Sequence, residues 1–121
     1  MALPEISSND IDQVLEFATP VTRLAAQAEP VAGHPDLQIF LEAMDALDFT
    51  AVFDWQAEFQ DRMDELESEA AIDQADLETL RMIMTAHVRI DRMTLGHLDK
   101  LISSGYWNRC IDRLRQLRAT L

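Results

Sequence analysis

Leu37, Phe40, Leu41, Met44 and Leu47 stand at i, i+3, i+4, i+7 and i+10. At 100° per residue they fall within about 120° of arc, the apolar stripe of a helix lying on a core. Every other clear apolar pattern has the same period. Ile11, Val14, Leu15 and Ala18 follow N-cap candidates at Ser8 to Asp10. Thr19-Pro20 either kinks that helix or starts a second one, which Val21, Leu24, Ala25 and Ala28 would carry. Residues 29–35 read as a loop, and Asp48 to Thr50 as a break. A long helix is expected from there to about Ser68, with Val52, Trp55, Phe59, Met63 and Leu66 on its stripe. Asp73 and Asp76 resemble a capping pair opening a helix over about 74–93. Gly96 and Gly105 bracket a short helix from Leu98 to Ser103. The last helix carries Trp107, Cys110, Ile111, Leu114 and Leu117. No segment has the two-residue period of a half-buried strand, and only three glycines and four prolines are present for turns. The expectation is an all-α, compact bundle of five or six helices in a single domain over 1–121.

Charge divides this chain in two. Residues 1–78 hold nineteen acidic and two basic side chains, a net of −17, whereas residues 79–121 hold eight basic and three acidic, a net of +5. Such a split speaks to surfaces and partners rather than to fold. The whole-chain charge of −12 disfavours nonspecific attraction to nucleic acid or anionic lipid, though not at the basic end. No apolar run reaches the roughly 18 residues needed to span a bilayer, so no membrane association is expected. The N-terminal residues lack the basic and apolar regions of a signal peptide, and the cytoplasm is the expected location. Cys110, the lone cysteine, excludes an internal disulfide and a cysteine-built zinc site.

Three groups of residues are candidates for function. Asp54, Glu58, Asp61 and Glu65, at i, i+4, i+7 and i+11, would form an acidic ridge on one face of the long helix. The ridge reads either as a docking surface for a basic partner or as a solvated face that keeps the protein in solution. Its like charges oppose the helix by a few tenths of a kcal/mol per pair. In the next helix Arg81, Thr85, Arg89 and Arg92 share a polar side, and Leu77, Leu80, Ile83, Met84 and Val88 an apolar one. His87 and Asp91, four apart, fall within the apolar arc. They are a candidate buried polar pair, either a core network or a general base with its orienting carboxylate. Two such ligands are too few for a metal, so neither metal nor cofactor is expected. The third group is the basic tail of Lys100, Arg109, Arg113, Arg115 and Arg118, with Tyr106 and Trp107 nearby. It could track phosphates, or lie against acidic residues of its own chain or of a second copy. No phosphate-binding glycine loop, nucleophile elbow or H-E-x-x-H sequence is present.

Asp76-Leu77, Leu80, Thr85-Ala-His-Val-Arg-Ile-Asp-Arg92, Gly96-His-Leu98, Gly105, Ile111, Arg113 and Leu114 together resemble a family of short bacterial proteins classed as a domain of unknown function. Its motif is T-A-x-V-R-x-D-R-x-x-x-G-x-L. Met93 and Thr94-Leu95 depart from the family's usual residues. The resemblance covers Leu77 to Leu117 and leaves the acidic first half unexplained. It carries no chemistry and implies only that Arg89, Asp91, Arg92 and Gly96 form a unit. The expected function is therefore protein–protein interaction, regulatory or inhibitory, through the acidic ridge, with a basic-surfaced protein or a second copy as partner. One alternative is a nucleic-acid-binding module using the basic tail. Another is an enzyme centred on His87, Asp91 and His97.

Overall fold

A computed structural model describes residues 3–24, 34–51 and 53–121. The described residues form seven α-helices: α1 Ser8–Thr22, α2 Pro35–Ala46, α3 Trp55–Glu58, α4 Glu69–Gln74, α5 Leu77–Met93, α6 His97–Ser103 and α7 Tyr106–Ala119. A 3₁₀ turn, Met63–Glu67, lies between α3 and α4, and no strand occurs among the described residues. The all-α expectation holds, with more and shorter helices than the five or six expected. Ala25, Ala28, the loop at 29–33 and Val52 lie outside the described residues.

Ser7, just before the expected caps, opens α1. Its hydroxyl accepts from the Asp10 amide at 3.1 Å, and the Asp10 carboxylate accepts from the Ser7 amide at 3.0 Å. This reciprocal box satisfies two otherwise orphaned amides. The helix runs through Pro20 to Thr22 instead of ending there. Its buried stripe of Ile11, Val14, Ala18 and Val21 packs on α2 and α7. In α2, His34 Nδ1 caps the Asp36 amide and Pro35 occupies the first turn. At the other end Asp48 takes a left-handed φ of 59°. The Phe49 amide bonds back to the Met44 carbonyl and the Asp48 amide to that of Asp45. This is a Schellman closure with aspartate in the usual place of glycine, and it drops Phe49 into the core beside Met44.

The long helix expected up to Ser68 is where structure and expectation part. Asp54 caps α3 through the Ala57 amide, the chain turns after Phe59, and Ser68 caps a separate α4 through the Ala71 amide. A straight helix would stack the carboxylates of 54, 58, 61 and 65 along one face. Breaking it relieves that repulsion and sets both Phe59 and Leu66 in a second apolar cluster with Met82, Ile83 and Ala86 of α5. Met63, expected on the buried stripe, is instead exposed. The helix expected to begin near 74 begins at Leu77 with Asp76 as its cap, accepting from Thr79 at 2.8 Å. Asp73 belongs to α4.

Eight consecutive residues of α5, Leu80 to His87, are buried, so neighbours surround its first half on all sides. It contributes Leu80 and Met84 to the main core with Phe40 and Trp107, and Ile83 and Ala86 to the second cluster. Trp107 is fully buried, edge-on to Phe40 at 6.4 Å between ring centres. A sharp corner then leads into α6. Gly96, at φ +80°, takes a left-handed conformation there that any other residue would hold under strain.

Candidate functional site

Burial of the first half of α5 forces its polar side chains to find partners or remain orphaned. Arg81, expected on the polar side of the helix with Thr85, Arg89 and Arg92, is only 4% exposed. Its guanidinium donates to three carbonyls, from Nε to Phe49 at 3.1 Å, from Nη1 to Pro4 at 2.7 Å and from Nη2 to Asp48. It also lies over the Phe49 ring. One side chain thereby ties the N-terminal arm and the closure of α2 to α5.

His87 is buried as its position on the stripe predicts, but it does not pair with Asp91. Its Nδ1 is 2.9 Å from His97 Nε2, its Nε2 is 3.1 Å from the Tyr106 hydroxyl, and that hydroxyl donates to the Leu66 carbonyl at 2.7 Å. The Leu66 carbonyl can only accept, so Tyr106 must receive its second bond from His87 Nε2–H. His87 Nδ1 is then an acceptor and His97 donates from Nε2. Burial first, and the nearby His97 second, depress the His87 pKa to about 4. Burial likewise lowers His97, against a raising influence from Asp91. It also pushes Tyr106 upward. The chain of bonds joins α5, α6, α7 and the 3₁₀ turn, and every proton in it is committed. A general base needs a free lone pair facing substrate, and His87 has none.

Asp91 serves the corner instead. Gly96, the N-cap of α6, has no side chain to offer, and Asp91 Oδ1 accepts from the Leu98 amide at 2.9 Å in its place. A carboxylate there also faces the positive end of the helix. Of the four residues expected to form a unit, Asp91 and Gly96 thus build the α5–α6 corner. Arg89 and Arg92 point elsewhere.

With Asp91 at its edge, they line a cleft of about 270 Å³ between α2 and α5. Thr85, Arg89 and Arg92 form one wall at i, i+4 and i+7. Gln38, Glu42 and Asp45 form the other at the same spacing, and Thr50 lies between. Thr85 is 1% exposed and its hydroxyl has no partner. Sequence reasoning singled out the α5 row and missed the α2 row, although the same i, i+4, i+7 spacing was the available signal.

The acidic ridge does not exist as one helix face, because Asp54 and Glu58 sit on α3, Asp61 in the turn and Glu65 in the 3₁₀ segment. Arg62 bonds Glu58 at 2.9 Å and approaches Glu65 at 3.3 Å, the latter a charge contact without hydrogen-bond alignment. The basic tail lies against other acids of the same chain. Arg109 grips Asp73 through both Nε and Nη2 and reaches Glu69 at 3.4 Å, while Arg118 grips Asp12 in the same two-toothed way. Asp73 is held below the usual carboxylate range by Arg109. Arg113 donates to the Ala75 carbonyl, and Arg115 pairs with Asp112 on its own helix. Lys100 has no ion pair among the described residues.

Among the described residues no group of three or more His, Cys, Asp or Glu is placed to hold a metal ion. No helix among them is long and apolar enough to cross a membrane. Burial raises the Cys110 thiol well above its ordinary pKa. No curated protein and no solved structure matches the chain. A family model does, over residues 2–120, a span that takes in the acidic first half as well as Leu77 to Leu117. The chain belongs to a family of unknown function, DUF6508.

Proposed function

We propose that the protein acts by protein–protein contact, presenting the acidic stretch between Asp54 and Glu67 to a partner with a basic surface. The observation that carries this reading is the uneven spending of charge. That stretch holds six carboxylates and one arginine, Arg62. Asp61, Asp64 and Glu67 are exposed and make no ion pair among the described residues. Met63, 48% exposed, adds an apolar contact in their midst. Complementary charge of this kind speeds encounter and selects among partners more than it adds affinity. The basic tail, by contrast, uses Arg109, Arg113, Arg115 and Arg118 internally. That leaves less cationic surface for phosphates, which weighs against the nucleic-acid reading. It weighs equally against a closed dimer in which each tail covers the other copy's acidic stretch.

The test compares wild type with a variant in which Asp54 and Asp61 become Asn and Glu58 and Glu65 become Gln. These changes keep hydrogen-bonding capacity, the cap on α3 included, while removing four charges. Both proteins would be immobilised against lysate of the source organism and eluted with stepwise salt. The expected result is one protein retained by wild type, released at moderate salt and lost from the variant. Equal retention by both would defeat the reading. Sedimentation at low and high salt checks self-association in the same samples.

A further inference from the structure

The cleft between α2 and α5 is independent of the acidic stretch, and its construction points to a ligand. Its two walls are straight rows on facing helices, Gln38, Glu42 and Asp45 opposite Thr85, Arg89 and Arg92. The α2 row is anionic and the α5 row is cationic at Arg89 and Arg92, while Asp91, which also lines the cleft, is engaged by the Leu98 amide. No carboxylate of the first stands within 4.0 Å of a guanidinium of the second, and Arg89 and Arg92 have no ion pair elsewhere among the described residues. Arg62, Arg81, Arg109, Arg113, Arg115 and Arg118 have found carboxylates or carbonyls, as flexible side chains with nothing between them do. Here space stands between the opposite charges.

Thr85 supplies the second observation. A threonine within a helix ordinarily turns its hydroxyl onto the carbonyl one turn back. The Thr85 hydroxyl makes no such bond, although the residue is 99% buried and lines the cleft. A buried hydroxyl without a partner is costly to keep and calls for an explanation. Placed one turn below Arg89 on the same face, it marks the point where an acceptor atom would complete the wall. Leu41 and Val88, each at the i+3 position of its row, add apolar surface between the polar groups.

The charges choose the ligand class. A phosphate or other polyanion would meet Glu42 and Asp45, and a simple cation would meet Arg89 and Arg92. A wholly apolar molecule would strip water from both rows and return nothing. A molecule carrying both signs satisfies both. The volume, just under the roughly 300–1,000 Å³ of drug-sized sites, restricts it to something small. We infer that this cleft binds a small zwitterion of the amino-acid type, its carboxylate held by Arg89 and Arg92 and its ammonium by Glu42 and Asp45, with an aliphatic side chain against Leu41 and Val88.

The experiment is titration of the isotope-labelled full chain, followed by amide chemical shifts, with each of the twenty proteinogenic L-amino acids. Acetate, isobutylamine and inorganic phosphate serve as single-charge or polyanionic probes. The expected result is saturable shifts at Leu41, Thr85 and Val88 with an aliphatic amino acid, and at least tenfold weaker binding of acetate and isobutylamine. Arg89→Gln and Glu42→Gln, both on the accessible rim, should each weaken the amino acid at least tenfold while leaving the helical circular dichroism spectrum unchanged. Thr85→Val, which removes only the unpartnered hydroxyl, should weaken binding without lowering the melting temperature. Saturation by acetate or phosphate as tight as by any amino acid would overturn the inference, as would binding indifferent to both rim variants. Absence of saturable shifts with all twenty amino acids would overturn it too. None of these outcomes bears on the acidic stretch, which the rim variants leave intact.

Discussion

Replacing Arg81 with methionine, similar in length but without donors, isolates what three hydrogen bonds to carbonyls contribute inside this core. The three are not equal. Phe49 is buried, so its carbonyl would be left without a partner, at a cost of about 1–3 kcal/mol. Pro4 and Asp48 are exposed residues whose carbonyls can turn to water, each losing about 0.5–1.5 kcal/mol. Burial already lowers the Arg81 pKa, which shows that the guanidinium pays for its location, and methionine escapes that penalty. The balance is a destabilisation of about 3 kcal/mol, or a fall in melting temperature of roughly 10 °C for a chain of this size. Urea unfolding followed by circular dichroism measures it by linear extrapolation. Hydrogen exchange locates it, since the Phe49 and Thr50 amides, bonded to the Met44 carbonyl, should lose protection with the closure of α2. A variant within about 0.5 kcal/mol of wild type, or more stable, would show that desolvation outweighs the three bonds and would refute the account.

Three further outcomes follow from the same polar interior. Tyr106→Phe deletes the hydroxyl between His87 Nε2–H and the Leu66 carbonyl, and should cost about 1–3 kcal/mol in urea unfolding because a buried N–H is orphaned; an unchanged midpoint would contradict the bond. Because the folded His87 pKa, about 4, lies below its ordinary value, the unfolded chain takes up the proton first on acidification. Stability from this group is therefore complete above about pH 6.5 and falls between there and about pH 4, by roughly 3 kcal/mol in all, and a His87 ring titrating near 6 by magnetic resonance would disprove it. Asp91→Ala should remove the cap on α6 at a cost of about 1 kcal/mol and speed exchange of the Leu98 amide, whereas unchanged protection at Leu98 would show that the amide is satisfied otherwise.

The helical class and most of its buried residues were legible because burial in a helix leaves a periodic trace. Leu37, Phe40 and Met44 are buried where the stripe puts them, and so are Trp107, Cys110, Ile111 and Leu114. The region from Asp54 to Glu67 was not legible, because its apolar spacing fits a helix and the turn after Phe59 has no glycine or proline to announce it. The only hint was the stack of like charges, which counted against the helix without saying where it would break. Arg81 escaped for a different reason. Its partners are backbone carbonyls, and a carbonyl has no letter in the sequence. His87 was placed correctly and paired wrongly, since His97 and Tyr106 reach it from two other helices whose packing no local spacing encodes.

That last error bears on how the segment from Thr85 to Arg92 works. On a helical wheel His87 and Asp91 share a stripe, yet the ring above His87 is His97, stacked at 5.2 Å between centres. Asp91 holds the amide beside His97, and so sets the angle at which α6 leaves the corner and delivers that ring. The pair is thus coupled through the backbone of α6 rather than by contact, and Gly96 is the residue whose positive φ allows the corner to close. Further around the same helix stand Thr85, Arg89 and Arg92, which face α2 across the cleft that Asp91 also borders. The corner fixes the backbone of this segment, while the half-buried Arg89 and exposed Arg92 side chains keep their own rotamer freedom. A ligand in the cleft must therefore order both arginines, at about 0.5–1.5 kcal/mol each, before either contact contributes net affinity.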